Sequence, residues 1–555
     1  MQIFSNRHIF LFFVLLFISW TGIAGASDNK KDFDTGKNME IFFNIFKNID
    51  IAYVDPTNPD KLMQKAADAM LSSLDPYSEY LSEEDMADFE FTTTGKYGGV
   101  GALVRLAPEK DFIHISEVYK DCPADKAGFK PGDKIVAIDG ENMGGKDVTF
   151  VSEKMKGTPG STIQMTMRPI RGGEDYTVPV TRERITISAV SYYGFVTDSI
   201  GYISLDSFSE NCSADVKKAL TELKSQGPLK GVILDLRSNG GGLLSEAVDV
   251  AGLFVPKGTE IVSIKGRKES ENETYKTHND PFDTELPLLI LVNSSSASSS
   301  EIVAGALQDL DRALIAGTRT FGKGLVQTTM GIGYGSFLKL TTAKYYIPSG
   351  RCIQALDYSH RNEDGSVGQI PDSLISEFTT RNGRKVYDGG GITPDVKIDP
   401  LYINKFTVSL IALGYIDDYA IKYYKEHTEA PDINNFSLSD EEYTDFGEFL
   451  KTKDMNFISP SESNLEKLRE SAKKDKYYDE IKDELDRIET KIKRDHTRDL
   501  ELYKDDIKAY LESAIVTAYH YAHGRSERAV NSDKDIKTAA ELLSSGKYKE
   551  YLTVQ

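Results

Sequence analysis

Only three cysteines, Cys122, Cys212 and Cys352, occur in 555 residues. Their odd number and wide spacing exclude a disulfide scaffold and any paired-cysteine metal site. No HExxH run and no DxDxDG loop is present, so no metal and no cofactor is expected. Basic charge is also short: 66 Lys and Arg stand against 86 Asp and Glu, a net charge of −20. Binding nucleic acid needs a concentrated basic face, and this balance argues against such a partner. Past the N-terminus no apolar run approaches the roughly 20 residues that span a bilayer as a helix. What remains is 40% hydrophobic and 27% charged, ordinary for folded domains. At this length about three to four of them are expected.

One apolar stretch, Ile9 to Trp20, follows Arg7 and leads to Ala24-Gly25-Ala26. A basic start, a short apolar core and a small-residue end are the parts of a secretory signal. Residues 1–26 are therefore expected to be removed and the mature chain exported to the periplasm. An uncleaved membrane anchor is the alternative.

Residues 27–94 read as a small helical domain, with Met39, Ile41, Phe42, Ile45 and Phe46 at helical spacing. It is taken as a packing element with a share in dimerisation. Residues 95–184 change to short strands and tight turns, Asp139-Gly140 being a hairpin signal. From 185 to 400 buried-type strands (GYISLDSF, VILDLR, LPLLILVN, RALIAG) alternate with amphipathic helices, the mark of an α/β core. Residues 401–555 are helical and rich in charge and tyrosine. Within them 475–510 reads as one long solvated helix.

Three segments carry chemistry. LPLLILVN runs through Asn293-Ser-Ser-Ser-Ala-Ser-Ser-Ser300 into the helix EIVAGALQDL. Amides at a helix start favour a developing oxyanion, although serines there are also common caps. RALIAG leads to Gly322-Lys323-Gly324. Gly317-x4-Gly322-Lys323 nearly spells a phosphate loop, but position 324 is Gly and no helix follows, so a nucleotide is not expected. Bare backbone on both sides instead lets Lys323 enter a crowded site, where desolvation makes a neutral amine able to deprotonate a serine. The third segment, VILDLRSNGGGLL, is a strand, three glycines and a helix, suited to supply an oxyanion donor.

Residues PADKAGFKPGDKIVAIDG resemble the core of a PDZ domain, which implies capture of a peptide C-terminus as an added strand. Its carboxylate loop would be Tyr97-Gly98-Gly99-Val100, with glycines so that bare amides converge on one anion. VILDLRSNGGGLLSEAV, VNSSSASSSEIVAGALQD, TFGKGLVQ, LTTAKYYIPSGRCIQ and GGITPDV together resemble the C-terminal processing peptidases (tail-specific proteases) of serine peptidase family S41, over about residues 40 to 400. The resemblance implies a multidomain α/β protein: a crotonase- or ClpP-like peptidase core, an inserted PDZ module and flanking helical regions.

It further implies Ser298 as nucleophile, Lys323 as general base and Gln327 orienting the lysine. The amides of Gly241 and Ser299 fall at the oxyanion hole, and Asp309 matches a supporting acid. Two positions depart from the family pattern: Ser299 replaces its usual alanine and Gly240 its usual proline. The serine run leaves Ser296 and Ser299 as alternative nucleophiles. The resulting expectation is an exported serine endopeptidase that cuts near the C-termini of proteins with free apolar tails, with a homodimer as a further partner. A His-Asp-Ser protease and a PDZ scaffold or chaperone with an inactive core are the competing readings.

Overall fold

The computed structural model describes residues 28–553, apart from 84, 108, 363, 401–402, 454–459 and 493–495. The stretch read as a secretory signal lies outside the described residues. The chain divides into two compact units, one reaching to Tyr80 with Thr329–Leu340, the other holding Leu81–Thr328 and everything from Thr341 on. No helix of the described residues is long and apolar enough to cross a membrane.

In the first unit, α1 (Asp28–Ala52) and α2 (Pro59–Ser72) follow the three-and-four spacing. Asn58 caps α2 by accepting from the Lys61 N–H at 3.0 Å, and Pro59 occupies the first turn, where its missing amide is not needed. Phe33, Met39, Phe43 and Ile45 of α1 are exposed.

The second unit begins with α3 (Asp85–Thr94) and β1 (Lys96–Gly99). β2 (Ala102–Leu106), β3 (Ile113–Val118), β4 (Lys134–Ile138), α4 (Val148–Met155), β5 (Thr162–Arg168) and β6 (Tyr176–Thr181) follow, and the strands pair antiparallel in that order. β7 (Glu183–Thr186) pairs with β1. Asp139 and Gly140, after β4, both take positive φ (49° and 80°), as a twisted hairpin turn demands. Alternate residues Ile113, Ile115, Ile163, Met165 and Met167 share a core with Val151 and Met155 of α4. β2 is an edge strand of this sheet.

A six-stranded sheet follows. β8 (Val190–Phe195) lies antiparallel to β9 (Ile200–Leu205), which α5 (Cys212–Gln226) connects to β10 (Gly231–Asp235). Next come α6 (Leu244–Gly252), β11 (Leu288–Val292), α7 (Ser299–Asp309), β12 (Leu314–Gly317), β13 (Leu325–Gly333), β14 (Ser336–Tyr346) and β15 (Val396–Lys397). From β9 the sheet is parallel, in the order β9-β10-β11-β12-β15. Parallel strands bury both faces, which is why β10 and β11 are buried end to end. Leu234, Ile290 and Ile315 face a core shared with α5, α6 and α7.

The opposite sheet face is covered from the far end of the chain. Beyond α8 (Tyr415–Glu426), α9 (Asp440–Lys451), α10 (Tyr478–Ile492), α11 (His496–Leu502) and α12 (Lys504–Ser532) comes α13 (Lys534–Ser544). Its Ile536, Ala539, Ala540 and Leu543, with Tyr548, pack on Ile233, Leu289, Leu291 and Leu314. The apolar stripe of α13 thus finds its partner within the chain.

The 475–510 stretch is not one helix. The Tyr443 hydroxyl donates to the Leu500 carbonyl at 2.7 Å, and Tyr503 leaves helical geometry at φ −112° and ψ 21°. Tyrosines and leucines that read as a solvated face serve the helical cluster around Phe446. α12 itself is broken at Tyr521 (φ 58°, ψ −163°), where the next amide, Ala522 N–H, donates to Glu117 of β3 at 3.1 Å.

Candidate active site

β11 is a run of fully buried aliphatics, and the chain leaves it at Asn293, turns, and starts α7 at Ser299. Ser298 sits at that junction with φ 56° and ψ −115°. A non-glycine residue rarely holds this conformation, at a cost of about 1–3 kcal/mol, and it persists only where neighbours over-determine it. Two neighbours do. The Glu301 carboxylate accepts from the Ser298 N–H at 2.9 Å, and the Tyr345 hydroxyl donates to the Ser298 carbonyl at 3.3 Å.

The same two side chains hold Lys323. Its N–H donates to Glu301 Oε2 at 2.9 Å, and its carbonyl accepts from the Tyr345 hydroxyl at 2.7 Å. Glu301 Oε1 accepts from the Gly322 N–H at 2.7 Å and the Thr320 hydroxyl at 2.6 Å. Glu301 is wholly buried, and burial pushes its carboxyl up to about 7 against four hydrogen bonds that favour the charge. The glycines around Lys323 have a steric cause. A Cβ on Gly322 would lie 2.4 Å from Ala355 Cβ, and one on Gly324 would lie 2.8 Å from the Gln354 nitrogen.

Gly241 abuts the serine: a Cβ there would lie 2.8 Å from Ser298 Cβ and 2.9 Å from the Ser299 nitrogen. Its own N–H, expected to face an oxyanion, donates to Asn239 Oδ1 at 2.9 Å. It can serve that role only by exchanging this bond. The Ser299 N–H, in the first turn of α7, has no acceptor among the described residues. The alternative serines are engaged: Ser296 Oγ donates to the Leu236 carbonyl at 2.7 Å, and Ser299 Oγ to the Gly242 carbonyl at 2.9 Å.

Gln327 lies on β13 and donates its amide to Thr341 Oγ1 at 3.1 Å. Asp309 is not brought to the serine. It ends α7, about 16 Å along the helix from Ser298, and forms a 2.8 Å ion pair with Arg351 in which both side chains are buried. Its N–H-accepting bond to Ser349 at 3.0 Å completes a structural role.

In the module of residues 95–184, Tyr97, Gly98 and Gly99 are strand residues of β1, in register with Ile185, Arg184 and Glu183 of β7, rather than an open loop. The reason for glycine at 98 is also different from the expected one. A Cβ there would lie 2.1 Å from the Gly157 carbonyl oxygen, whose amide donates to the Gly98 carbonyl at 3.0 Å. Val100 and Tyr97 line an apolar groove with Ala102 and Val104 of β2 and Met155 of α4. An unpaired strand edge facing a helix across an apolar groove is what strand-adding peptide capture requires.

Reading the sequence missed Glu301 and Tyr345 as shared braces. In the sequence Glu301 is only the first residue of the helix EIVAGALQDL, and Tyr345 has no periodicity to distinguish it.

The chain matches Peptidase family S41 over residues 199–359, a PDZ domain over 114–169, and the description "Probable PDZ-protease, C-terminal helical domain" over 406–543. A carboxy-terminal-processing protease of Bartonella bacilliformis is 38% identical over 376 residues, 67% of this chain and 83% of that one. A probable CtpA-like serine protease of Staphylococcus haemolyticus is 31% identical over 443 residues, 79% of this chain and 83% of that one. A solved photosystem II D1 C-terminal processing protease aligns with 65% of this chain and 93% of its own, at 29% identity and TM-score 0.33. The molecule is a serine endopeptidase with a PDZ domain. It belongs to the carboxy-terminal-processing proteases of peptidase family S41.

Proposed function

We propose that Ser298 and Lys323 form the catalytic dyad of an exported peptidase that cuts proteins near free C-terminal tails. The observation that carries this reading is the shared brace: one oxygen of Glu301 accepts from both backbone amides, each at 2.9 Å. The two residues are held as a pair, next to a helix start whose Ser299 amide is unengaged. In the reaction, neutral Lys323 Nζ takes the Ser298 hydroxyl proton as Oγ bonds to the scissile carbonyl carbon. The carbonyl electron pair moves to oxygen, where the Ser299 N–H and, after leaving Asn239, the Gly241 N–H receive it. Protonated Lys323 then gives its proton to the departing amine as the C–N bond breaks. Water, deprotonated by the same lysine, then attacks the acyl carbon, the ester bond to Ser298 Oγ breaks, and Lys323 returns the proton to Oγ as the new C-terminus leaves. Gln327, four residues on from Lys323 at the start of β13, is the residue that the family resemblance gives the task of orienting the lysine.

Substrate tails enter as a strand beside β2, with an apolar terminal side chain in the groove lined by Val100 and Met155 and the carboxylate at the Tyr97–Val100 end. Export is supported by the charge and hydropathy pattern of residues 1–26. A homodimer, if formed, would use the exposed apolar side chains of α1. Incubating the purified chain with a protein bearing an apolar tail, and reading the fragments by mass spectrometry, tests the proposal. Fragments lacking only C-terminal residues, absent with Ser298→Ala, are expected. An intact substrate, or cleavage by that variant, rejects it.

A further inference from the structure

The turn after β10 is laced to the nucleophile segment. Leu236 accepts from Ser296 Oγ at 2.7 Å, and the Ser238 N–H donates to Asn293 Oδ1 at 2.9 Å. The Asn239 carbonyl accepts from the Ala297 N–H at 3.0 Å and from Ser300 Oγ at 2.8 Å. Gly241 then lies against Ser298. Any displacement of residues 236–241 is therefore transmitted to the serine and to the oxyanion donors.

At the head of this turn stands a charge cluster that the reaction does not use. Arg237 grips Asp235, the last residue of β10, through Nε and Nη2 at 2.6–3.0 Å, and the Tyr202 hydroxyl donates to the same carboxylate at 2.8 Å. The remaining arm of the guanidinium, Nη1, reaches out of the peptidase core to α13: Asp533 at 2.9 Å and Asp535 at 3.1 Å. Asp533 is also the N-cap of α13, accepting from the Asp535 N–H at 2.7 Å and the Ile536 N–H at 3.2 Å. One planar guanidinium thus joins the strand, the turn and the first turn of a helix near the other end of the chain. A lysine could not make these contacts at once.

We propose that Asp533 and Asp535 are positioning residues for the oxyanion turn, acting through Arg237, so that the C-terminal helical region completes the active site. α13 does two things: it covers the sheet, and its first turn sets the angle at which residues 236–241 leave β10. The inference rests on Ser298 being the nucleophile. It predicts that a chain folded but lacking this contact binds substrate and reacts slowly, because a displaced oxyanion donor acts on the transition state more than on the ground state.

The test uses the full chain with Asp535→Ala, Arg237→Lys, the double variant and Asp535→Glu. Readouts are kcat and KM on a tail-bearing substrate, the labelling rate of Ser298 by a fluorophosphonate, and the melting temperature. Asp535→Ala and Arg237→Lys should each lower kcat and labelling by about tenfold or more with KM within about twofold. The double variant should be no worse than Arg237→Lys alone, since the two act as one unit. Asp535→Glu, which keeps a carboxylate for Nη1, should restore most of the rate. A lowered melting temperature with wild-type kcat and labelling would make the cluster purely structural and overturn the inference, as would additive losses. If the wild-type chain is not labelled at Ser298, the nucleophile assignment itself fails, a distinct result.

Discussion

Ser298 and Lys323 share both of their backbone ligands: Glu301 Oε2 accepts from the two N–H groups, and the single Tyr345 hydroxyl proton is donated to the Lys323 carbonyl at 2.7 Å and shared with the Ser298 carbonyl at 3.3 Å. The two amide nitrogens are each 2.9 Å from one atom, so they lie no further apart than twice that distance. The backbone of the proposed base is fixed by the helix that carries the proposed nucleophile, through its first-turn glutamate.

Replacing Ser298 with alanine should abolish proteolysis, with kcat down by at least about 10³-fold, and leave the melting temperature nearly unchanged. Ser296→Ala and Ser299→Ala should remain active, because both hydroxyls already donate to carbonyls of the neighbouring turn. Activity of Ser298→Ala with loss in either neighbour would move the nucleophile along the run.

Glu301 gives a pH signature. Its carboxyl stands at about 7 in the folded chain against an ordinary 4.5, because burial penalises the charge. The native state therefore holds this proton where the unfolded chain has released it, and the associated stability is lost as pH rises from about 4.5 through 7. Relative to Glu301→Gln, which cannot titrate, the wild type should lose about 3 kcal/mol across that window in urea unfolding. Parallel pH curves for the two proteins would refute this. Activity should move the other way, since only the ionised carboxylate accepts all four donors.

Tyr345→Phe keeps the buried ring and removes only the hydroxyl. The loss of this bifurcated hydrogen bond, which leaves the Lys323 carbonyl without its donor, should cost about 1–3 kcal/mol of stability. Because both branches end on the dyad backbone, kcat should fall by about tenfold. An unchanged kcat would show that Glu301 alone is a sufficient brace.

Asp309→Ala should act on stability alone. It leaves Arg351, 1% exposed, without its carboxylate, and breaking such a pair costs about 3–5 kcal/mol. At a temperature where the variant remains folded, kcat should match the wild type. A selective loss of kcat would restore Asp309 as a supporting acid.

Tail recognition is tested by amidation. A peptide with an apolar C-terminal residue should bind at least about tenfold more weakly when its carboxylate is amidated, in fluorescence polarisation, since the amide removes the charge that backbone N–H groups hold. Equal affinities would mean that the β2 groove reads side chains only.

Local signals carried much of this protein in its sequence. Continuous aliphatic runs identified β10 and β11, because parallel strands buried on both faces leave no alternation to misread. Asp139-Gly140 identified its turn because few residues tolerate positive φ in succession. The serine run and the Gly-Lys-Gly step were legible as chemistry, since strand ends and bare backbone are local properties. Tertiary structure alone decided what those segments meet. Glu301 reads as a helix-start residue until β12's exit brings Thr320, Gly322 and Lys323 to it. Gly98 reads as an anion-loop glycine until the Gly157 carbonyl is found against it. The largest difference lies at the far end of the chain: the amphipathic spacing of α13 shows an apolar face but not which surface covers it. Burial is non-directional, so a stripe specifies how much apolar area must be hidden, and only the fold determines that Ile536, Ala540 and Leu543 hide it on the peptidase sheet.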